Sequence, residues 1–195
     1  MNVGKMIVLT APSGGGKTTI KKHLLGEYKK LAFSISATTR AIRPSESEGV
    51  DYYFKTAEAF RQLIDDDAFI EWEEVYTDQY YGTLKSEVDR IWGLGKHIVF
   101  DVDVHGATRI KQLYGDRCLS IFIRPPSIQV IVDRLKARNT ETEKSFAKRV
   151  KRIEKEMSFE NKFDKILIND LLPVAFKEAE HLVESFLDLH SNEQE

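Results

Sequence analysis

The chain has one cysteine among its 195 residues, so no disulfide can close within it. Cys118 sits inside the apolar run Cys118-Leu119-Ser120-Ile121-Phe122-Ile123, with no activating base nearby in sequence, and reads as a core thiol rather than a nucleophile. No apolar stretch reaches the roughly 20 residues needed to span a bilayer, and the N-terminus lacks an apolar leader with a small-residue cleavage site. Excess charge is missing too: 29 basic against 31 acidic residues leave a formal net charge of −2. That excludes a general nucleic-acid or membrane-surface binder and makes any anion site local. Internal repeats and low-complexity segments are absent as well. These absences predict a cytoplasmic globular protein, with neither nucleic acid nor membrane among its partners.

What is present is a composition 42% apolar and 31% charged, enough for one α/β domain with a sizeable core and inserted subdomains. The most informative stretch is Ala11-Pro12-Ser13-Gly14-Gly15-Gly16-Lys17-Thr18. It follows the apolar run Met6-Ile7-Val8-Leu9 and precedes a helical pattern beginning near Thr19. A glycine-rich turn between strand and helix directs amide N–H groups and the positive helix end at a phosphate. Lys17 adds a mobile charge for the outer phosphates, and Thr18 a hard oxygen for magnesium. Ala11 departs from the pattern, which has glycine there. It is acceptable in extended backbone and strained at positive φ.

Hydrophobic periodicity then alternates strand and helix. A helix runs to about Lys30, Leu31 to Ser36 is extended, 37–50 reads as a loop, and Tyr52-Tyr53-Phe54 as a short strand. A capped helix follows from Thr56 to the acidic Asp65-Asp66-Asp67, read as a solvated helix end rather than a metal site. Strand-like alternation covers Phe69 to Tyr76, a tight turn or short strand Tyr80 to Thr83, and a helix Leu84 to Trp92. Further strands are expected at His97–Asp103, Leu119–Ile123 and Lys165–Asn169. Helices are expected near Gly106–Leu113, Ile128–Arg138, on to Phe159, and Leu172–Leu189. The pattern is that of a parallel sheet covered on both faces, with ligands beyond the carboxyl ends of its strands. The phosphate loop, Ser36, Asp101, Asp103 and Asn169 all fall there.

Asp101 and Asp103 alternate by two and, on a straight strand, would project together at its tip, suiting magnesium, its water or a base amine. Arg40 and Arg43, with the phenols of Tyr52 and Tyr81, offer a phosphate clamp. A second cationic set, Arg134, Arg138, Arg149 and Arg152, flanks a polar break that could close over a transferring phosphoryl group.

Taken together, Ser34-Ile35-Ser36-Ala37-Thr38-Thr39-Arg40, then Arg43, Glu46, Gly49 and Asp51-Tyr52 form an ordered set with later motifs. These are Phe69-Ile70-Glu71-Trp72, Tyr80-Tyr81-Gly82-Thr83, Asp101-Val102-Asp103 and Ile168-Asn169-Asp170. The set resembles guanylate kinase along almost the whole chain. The resemblance implies a P-loop three-layer α/β fold with a core (about 1–36, 85–133 and 157–195), a GMP-binding insertion (about 37–84) and an arginine-rich lid (about 134–156). It implies transfer of the γ-phosphoryl of ATP to GMP, and to dGMP, with Mg²⁺, by a monomer or homodimer.

By the same resemblance, Arg40, Arg43, Glu46, Tyr52 and Tyr81 would surround the GMP phosphate, while Ser36 and Thr83 reach guanine O6. Glu71 would accept from N1 and the 2-amino group, with Asp103 helping at that edge. Lys17, Arg43, Arg138 and Arg149 would stabilise the moving phosphoryl group. ATP would lie on residues Ala11 to Thr18 and Thr19, on Arg134, and near Asn169 and Asp170, with Thr18 and Asp101 around Mg²⁺. Ser45, Asn139 and His105 depart from the family's usual glycine, glycine and glutamine, and His105 reads as a packing residue. A guanylate-kinase-like interaction module without chemistry is the alternative, as is a kinase for another acceptor. The retained Lys17, Arg138 and Arg149 favour the enzyme, and Glu71, Ser36 and Thr83 favour guanine.

Overall fold

The computed structural model describes residues 4–137 and 143–189, with backbone alone at 134–137 and 143–149. Its centre is β1 (Met6–Thr10), buried along its whole length. A strand covered on both faces must lie mid-sheet, and β1 pairs in parallel with β7 (His97–Asp101) on one side and β8 (Cys118–Arg124) on the other. Adding β2 (Leu31–Phe33) and β9 (Lys165–Ile168) gives a five-stranded parallel sheet in the order β2-β7-β1-β8-β9.

Strand alternation sends successive side chains to opposite layers. Ile7, Leu9, Val99 and Ile121 pack with Ile20 and Leu24 of α1 (Lys17–Glu27) and the stripe Ala175, Ala179, Val183 and Leu187 of α7 (Leu172–Leu187). Met6, Val8, Ile98 and Phe100 pack with Val88 and Ile91 of α3 (Lys85–Gly93) and Ala107 and Ile110 of α4 (Val104–Tyr114). Cys118 belongs to this second layer, and burial pushes its thiol up to about 12, so it is not a nucleophile at neutral pH. Ile131 and Ile153 join α5 (Ile128–Ala137) to α6 (Glu143–Met157).

A second, mixed sheet in the order β4-β3-β6-β5 is built from β3 (Ala37–Thr38), β4 (Tyr53–Phe54), β5 (Phe69–Tyr76) and β6 (Gln79–Leu84). It packs on α2 (Ala57–Asp65) through Phe60, whose ring stacks 4.4 Å from Phe69 and 5.3 Å from Tyr80. Thr56 caps α2, accepting from the Ala59 N–H at 3.1 Å. The expected loop at 37–50 therefore opens with a strand, too short to leave a periodic signature. Tyr80 to Thr83 is strand rather than tight turn, the reversal falling at Asp78 with φ 58°.

Two boundaries bear on the site. The helix after the phosphate loop starts at Lys17, not near Thr19, and β7 stops at Asp101, not Asp103. Asp103 instead caps α4, its Oδ1 accepting from the N–H groups of His105 at 3.1 Å and Gly106 at 2.8 Å. The two aspartates thus do not extend one straight strand: Asp101 ends β7, and Asp103 is the N-cap of α4.

Candidate active site

The phosphate loop takes its shape from two left-handed glycines, Gly14 at φ 85° and Gly16 at φ 96°, and from the Gly15 N–H donating to Pro12 O at 2.8 Å. A Cβ on Gly16 would lie 2.0 Å from Asn169 Nδ2, so side chain and conformation both forbid replacement. Ala11 is buried in the core and is not among the non-glycine residues at positive φ, so the departure from glycine carries no strain. Ser13 is half-buried, and Thr18 and Thr19 lie exposed on the first turn of α1.

Asn169, at the end of β9, is 2% exposed and donates from Nδ2 to Gly15 O at 2.8 Å. The structure thus places it under the phosphate loop, with Asp170 beside it in solvent. Lys17 Nζ bonds Val102 O at 3.0 Å and pairs with Asp101 Oδ1 at 2.9 Å. Lys21, one turn along α1, takes Asp101 Oδ2 at 2.9 Å.

Beyond the strand ends, the second sheet presents the other half of the cleft. Arg40 grips Glu46 with both arms, at 2.8 and 2.9 Å, and lies over the Tyr52 ring at 5.2 Å. That fork holds the Glu46 carboxyl below its ordinary range. Tyr52 and Tyr81 meet edge to face at 6.1 Å. Burial, then the Asp101 charge, raises the Tyr52 phenol, so this clamp faces the strand end that holds Lys17. The Arg43 side chain is 67% exposed and only grazes Glu46 at 4.0 Å.

Glu71 is a half-buried residue of β5 whose carboxyl is set between Thr83 of β6 and Gly106 of α4. Its Oε1 accepts from the Thr83 hydroxyl at 2.6 Å, and desolvation lifts its carboxyl to about 7. A Cβ on Gly106 would come within 2.7 Å of Glu71 Oε2, so glycine there leaves the carboxylate its room. Ser36, the other expected contact at guanine O6, is half-buried between β2 and β3 and accepts at its carbonyl from the Tyr53 N–H at 2.9 Å.

Sequence reasoning missed four members of this site. Glu73, two residues along β5 from Glu71, shares a hydrogen bond with Asp103. That bond raises Glu73; burial acts to raise Asp103 as well, but the Glu73 hydrogen bond and then the Gly106 amide outweigh it and keep Asp103 low. Two carboxyls in contact require a proton between them, and without it the buried Glu73 Oε2 has no donor. Glu87, 2% exposed, accepts from the Ile35 N–H at 2.9 Å, from Tyr53 Oη at 3.1 Å and from Arg90, pinning the second sheet to the core. Burial acts to raise its carboxyl, but Arg90 and the amide outweigh that and keep it low. Glu156 receives the Ser13 N–H at 3.2 Å and Arg152 Nε at 2.7 Å, so α6 rests against the phosphate loop. Lys21 is the fourth. Same-face spacing signalled Glu73 and Lys21; nothing local signalled the other two.

Arg138 lies outside the described residues, and the side chains of Arg134 and Arg149 do likewise. His105 packs edge-on against Phe159 with ring centroids 5.2 Å apart. Among the described residues, no helix is long and apolar enough to cross a membrane.

Known proteins match this arrangement over nearly its full length. A family model described as guanylate kinase covers residues 3–186. A guanylate kinase of Bacteroides fragilis is 47% identical over 185 residues, 95% of this chain and 91% of that one. One of Porphyromonas gingivalis is 46% identical over 94% of this chain and 98% of its own length. The crystal structure of guanylate kinase from Anaplasma phagocytophilum superposes with a TM-score of 0.74 at 27% identity, over 98% of this chain and 88% of that chain.

Proposed function

The chain belongs to the guanylate kinase family, and from that premise we propose which of its residues bind the two nucleotides and move the phosphoryl group between them. The enzyme phosphorylates GMP from ATP, yielding GDP and ADP. The observation that carries the site reading is Glu71, a desolvated carboxyl bonded to the Thr83 hydroxyl, in the same cleft as a phosphate loop with its lysine.

Guanine offers two adjacent donors, N1–H and the 2-amino group, beside the O6 acceptor. Ionised Glu71 accepts both donors. Thr83, released from Glu71, turns its proton to O6, with Ser36 as a second donor. The Thr83–Glu71 bond is thus a placeholder for the base. Adenine would set its N1 lone pair against the carboxylate and leave a buried charge unpaired. Asp103, already capping α4 and sharing the Glu73 proton, shapes this edge.

Arg40, preset by Glu46, and the phenols of Tyr52 and Tyr81 hold the GMP phosphate. Its oxygen attacks the γ-phosphorus directly, so no protein nucleophile or general base is required. Charge developing on the transferred group is met by Lys17, by the exposed Arg43, and by Arg138 and Arg149 of the lid. The triphosphate lies along 11–19, with Arg134 and Asp170 toward the adenine end and Asn169 beneath the loop, bracing Gly15 beside them. For Mg²⁺ the donors fit a metal that keeps its waters and rides on phosphates: Thr18 offers a hydroxyl, and Asp101, its Oδ2 still held by Lys21, would reach the ion through water. When bound, the ion would neutralise phosphate charge.

The core, the GMP-binding insertion at 37–84 and the lid at 134–156 are proposed to close around both nucleotides. A cytoplasmic monomer or homodimer, acting on GMP and dGMP without nucleic acid, completes the proposal. The near-neutral charge supports the absence of nucleic acid among its partners.

A coupled ADP-release assay with GMP, dGMP, AMP and UMP should show turnover with the two guanine nucleotides only; folded protein idle with GMP would refute the reading. Gly106→Ala should raise the KM for GMP about tenfold by displacing Glu71, with the KM for ATP unchanged. Parallel titrations of both substrates check this, and an unmoved GMP KM would sink it.

A further inference from the structure

Asp101 holds two cations from one helix. Lys17 and Lys21 stand one turn apart on α1, each 2.9 Å from a different oxygen of the same carboxylate, whose side chain is 16% exposed. Lys17 is therefore parked on the end of β7, reinforced by Val102 O at 3.0 Å, and must leave Asp101 to meet a triphosphate. Were Lys17 the sole partner, its departure would strand a largely covered carboxylate, which is strongly unfavourable.

Lys21 is held in place by more than the ion pair. Its side chain is 15% exposed, and Nζ sits 3.9 Å above the ring of Phe33 on β2, a face that favours the cation. We propose that Lys21 is a positioning residue for the transfer reaction: the standing counter-ion of Asp101 that frees Lys17 for the phosphates of ATP. Lys21 touches neither substrate. It makes the exchange of partners by Lys17 one in which no charge is left alone. The proposal rests on the assignment of the ATP phosphates to the loop.

The test is equilibrium binding of a non-hydrolysable ATP analogue, and separately of GMP, to the native protein, Lys21→Met, Lys21→Gln, Lys21→Arg, Asp101→Asn and the double variant Lys21→Met/Asp101→Asn. Lys21→Met and Lys21→Gln should each lose about tenfold in analogue affinity. GMP affinity should stay within about twofold, showing that the variants fold, and Lys21→Arg should keep most of the native affinity. In the Asp101→Asn background, where nothing is stranded, Lys21→Met should change little. An equal loss in that background would show Lys21 attracting phosphate directly and overturn the proposal. So would unchanged analogue affinity in Lys21→Met and Lys21→Gln, or an equal loss for GMP. Failure of the native protein to bind the analogue would overturn the ATP assignment as well, and is recognised before any variant is compared.

Discussion

Lys17→Met is expected to lower kcat by about 10³-fold while leaving GMP affinity within a few-fold, because it deletes a cation aimed at charge that develops on the transferring phosphoryl group. The separation of effects follows from the architecture. The residues assigned to GMP lie mainly on the second sheet and its 40–52 loop, and Lys17 opens α1 under the parallel sheet. The fold should tolerate the change, since Asp101 keeps Lys21 at 2.9 Å and no carboxylate is stranded. Methionine also matches the apolar stem of lysine, so the half-buried cleft loses charge rather than volume. Steady-state kinetics with both substrates, alongside GMP binding at equilibrium, separate these quantities. An unchanged kcat would remove Lys17 from catalysis, and a matching loss of GMP affinity would make it structural.

The parts of this enzyme legible in its sequence are those set by short-range pattern. The unbroken apolar run at Met6–Leu9 reads as a strand buried on both faces, and the glycines ahead of Lys17 read as a phosphate turn, both from local chemistry alone. The guanine-binding assignments came from the ordered motifs, since nothing local marks Thr83 as the partner of Glu71 across a strand pair.

Hidden features depend on what the chain meets at long range. Ala37–Thr38 is a strand only because β6 and β4 flank it. Asp103 looks like a strand residue by alternation, yet it caps a helix, since its carboxylate finds two free N–H groups there. Glu156 is one acidic residue of a highly charged helix by composition, and only the folded chain brings it to Ser13, 143 positions away. The lid arginines carry the reverse lesson. Their place in the mechanism rests on the family pattern and on the need for positive charge around the phosphoryl group.

Glu71→Gln should cut kcat/KM for GMP by about 10²-fold or more, because an amide can accept from one guanine donor but must turn its own NH₂ against the other. AMP, whose N1 accepts, should lose nothing or gain. The same substitution should stabilise the ligand-free protein, and the sign follows from burial. The Glu71 carboxyl titrates at about 7 in the fold against 4.5 ordinarily, so folding favours its protonated form. Relative to an always-neutral side chain, native Glu71 therefore carries no penalty below pH 4.5. It carries one that grows between pH 4.5 and about 7 and levels off above, at up to about 3 kcal/mol. Thermal melts of native and Glu71→Gln protein should coincide near pH 4.5 and diverge by pH 8, with the variant higher.

Binding runs the opposite way. Guanine needs the ionised carboxylate, so native GMP affinity should rise about tenfold from pH 6 to pH 8 as the fraction of ionised Glu71 grows. The GMP phosphate, with its own pKa near about 6, titrates in part of the same window. Subtracting the Glu71→Gln profile isolates the contribution of the carboxyl. A melting difference independent of pH, or equal losses for every nucleotide, would refute the role assigned to Glu71. The expected pair of results would show that the residue selecting guanine is held at a cost to the stability of the free enzyme, which the two donors of the base relieve on binding.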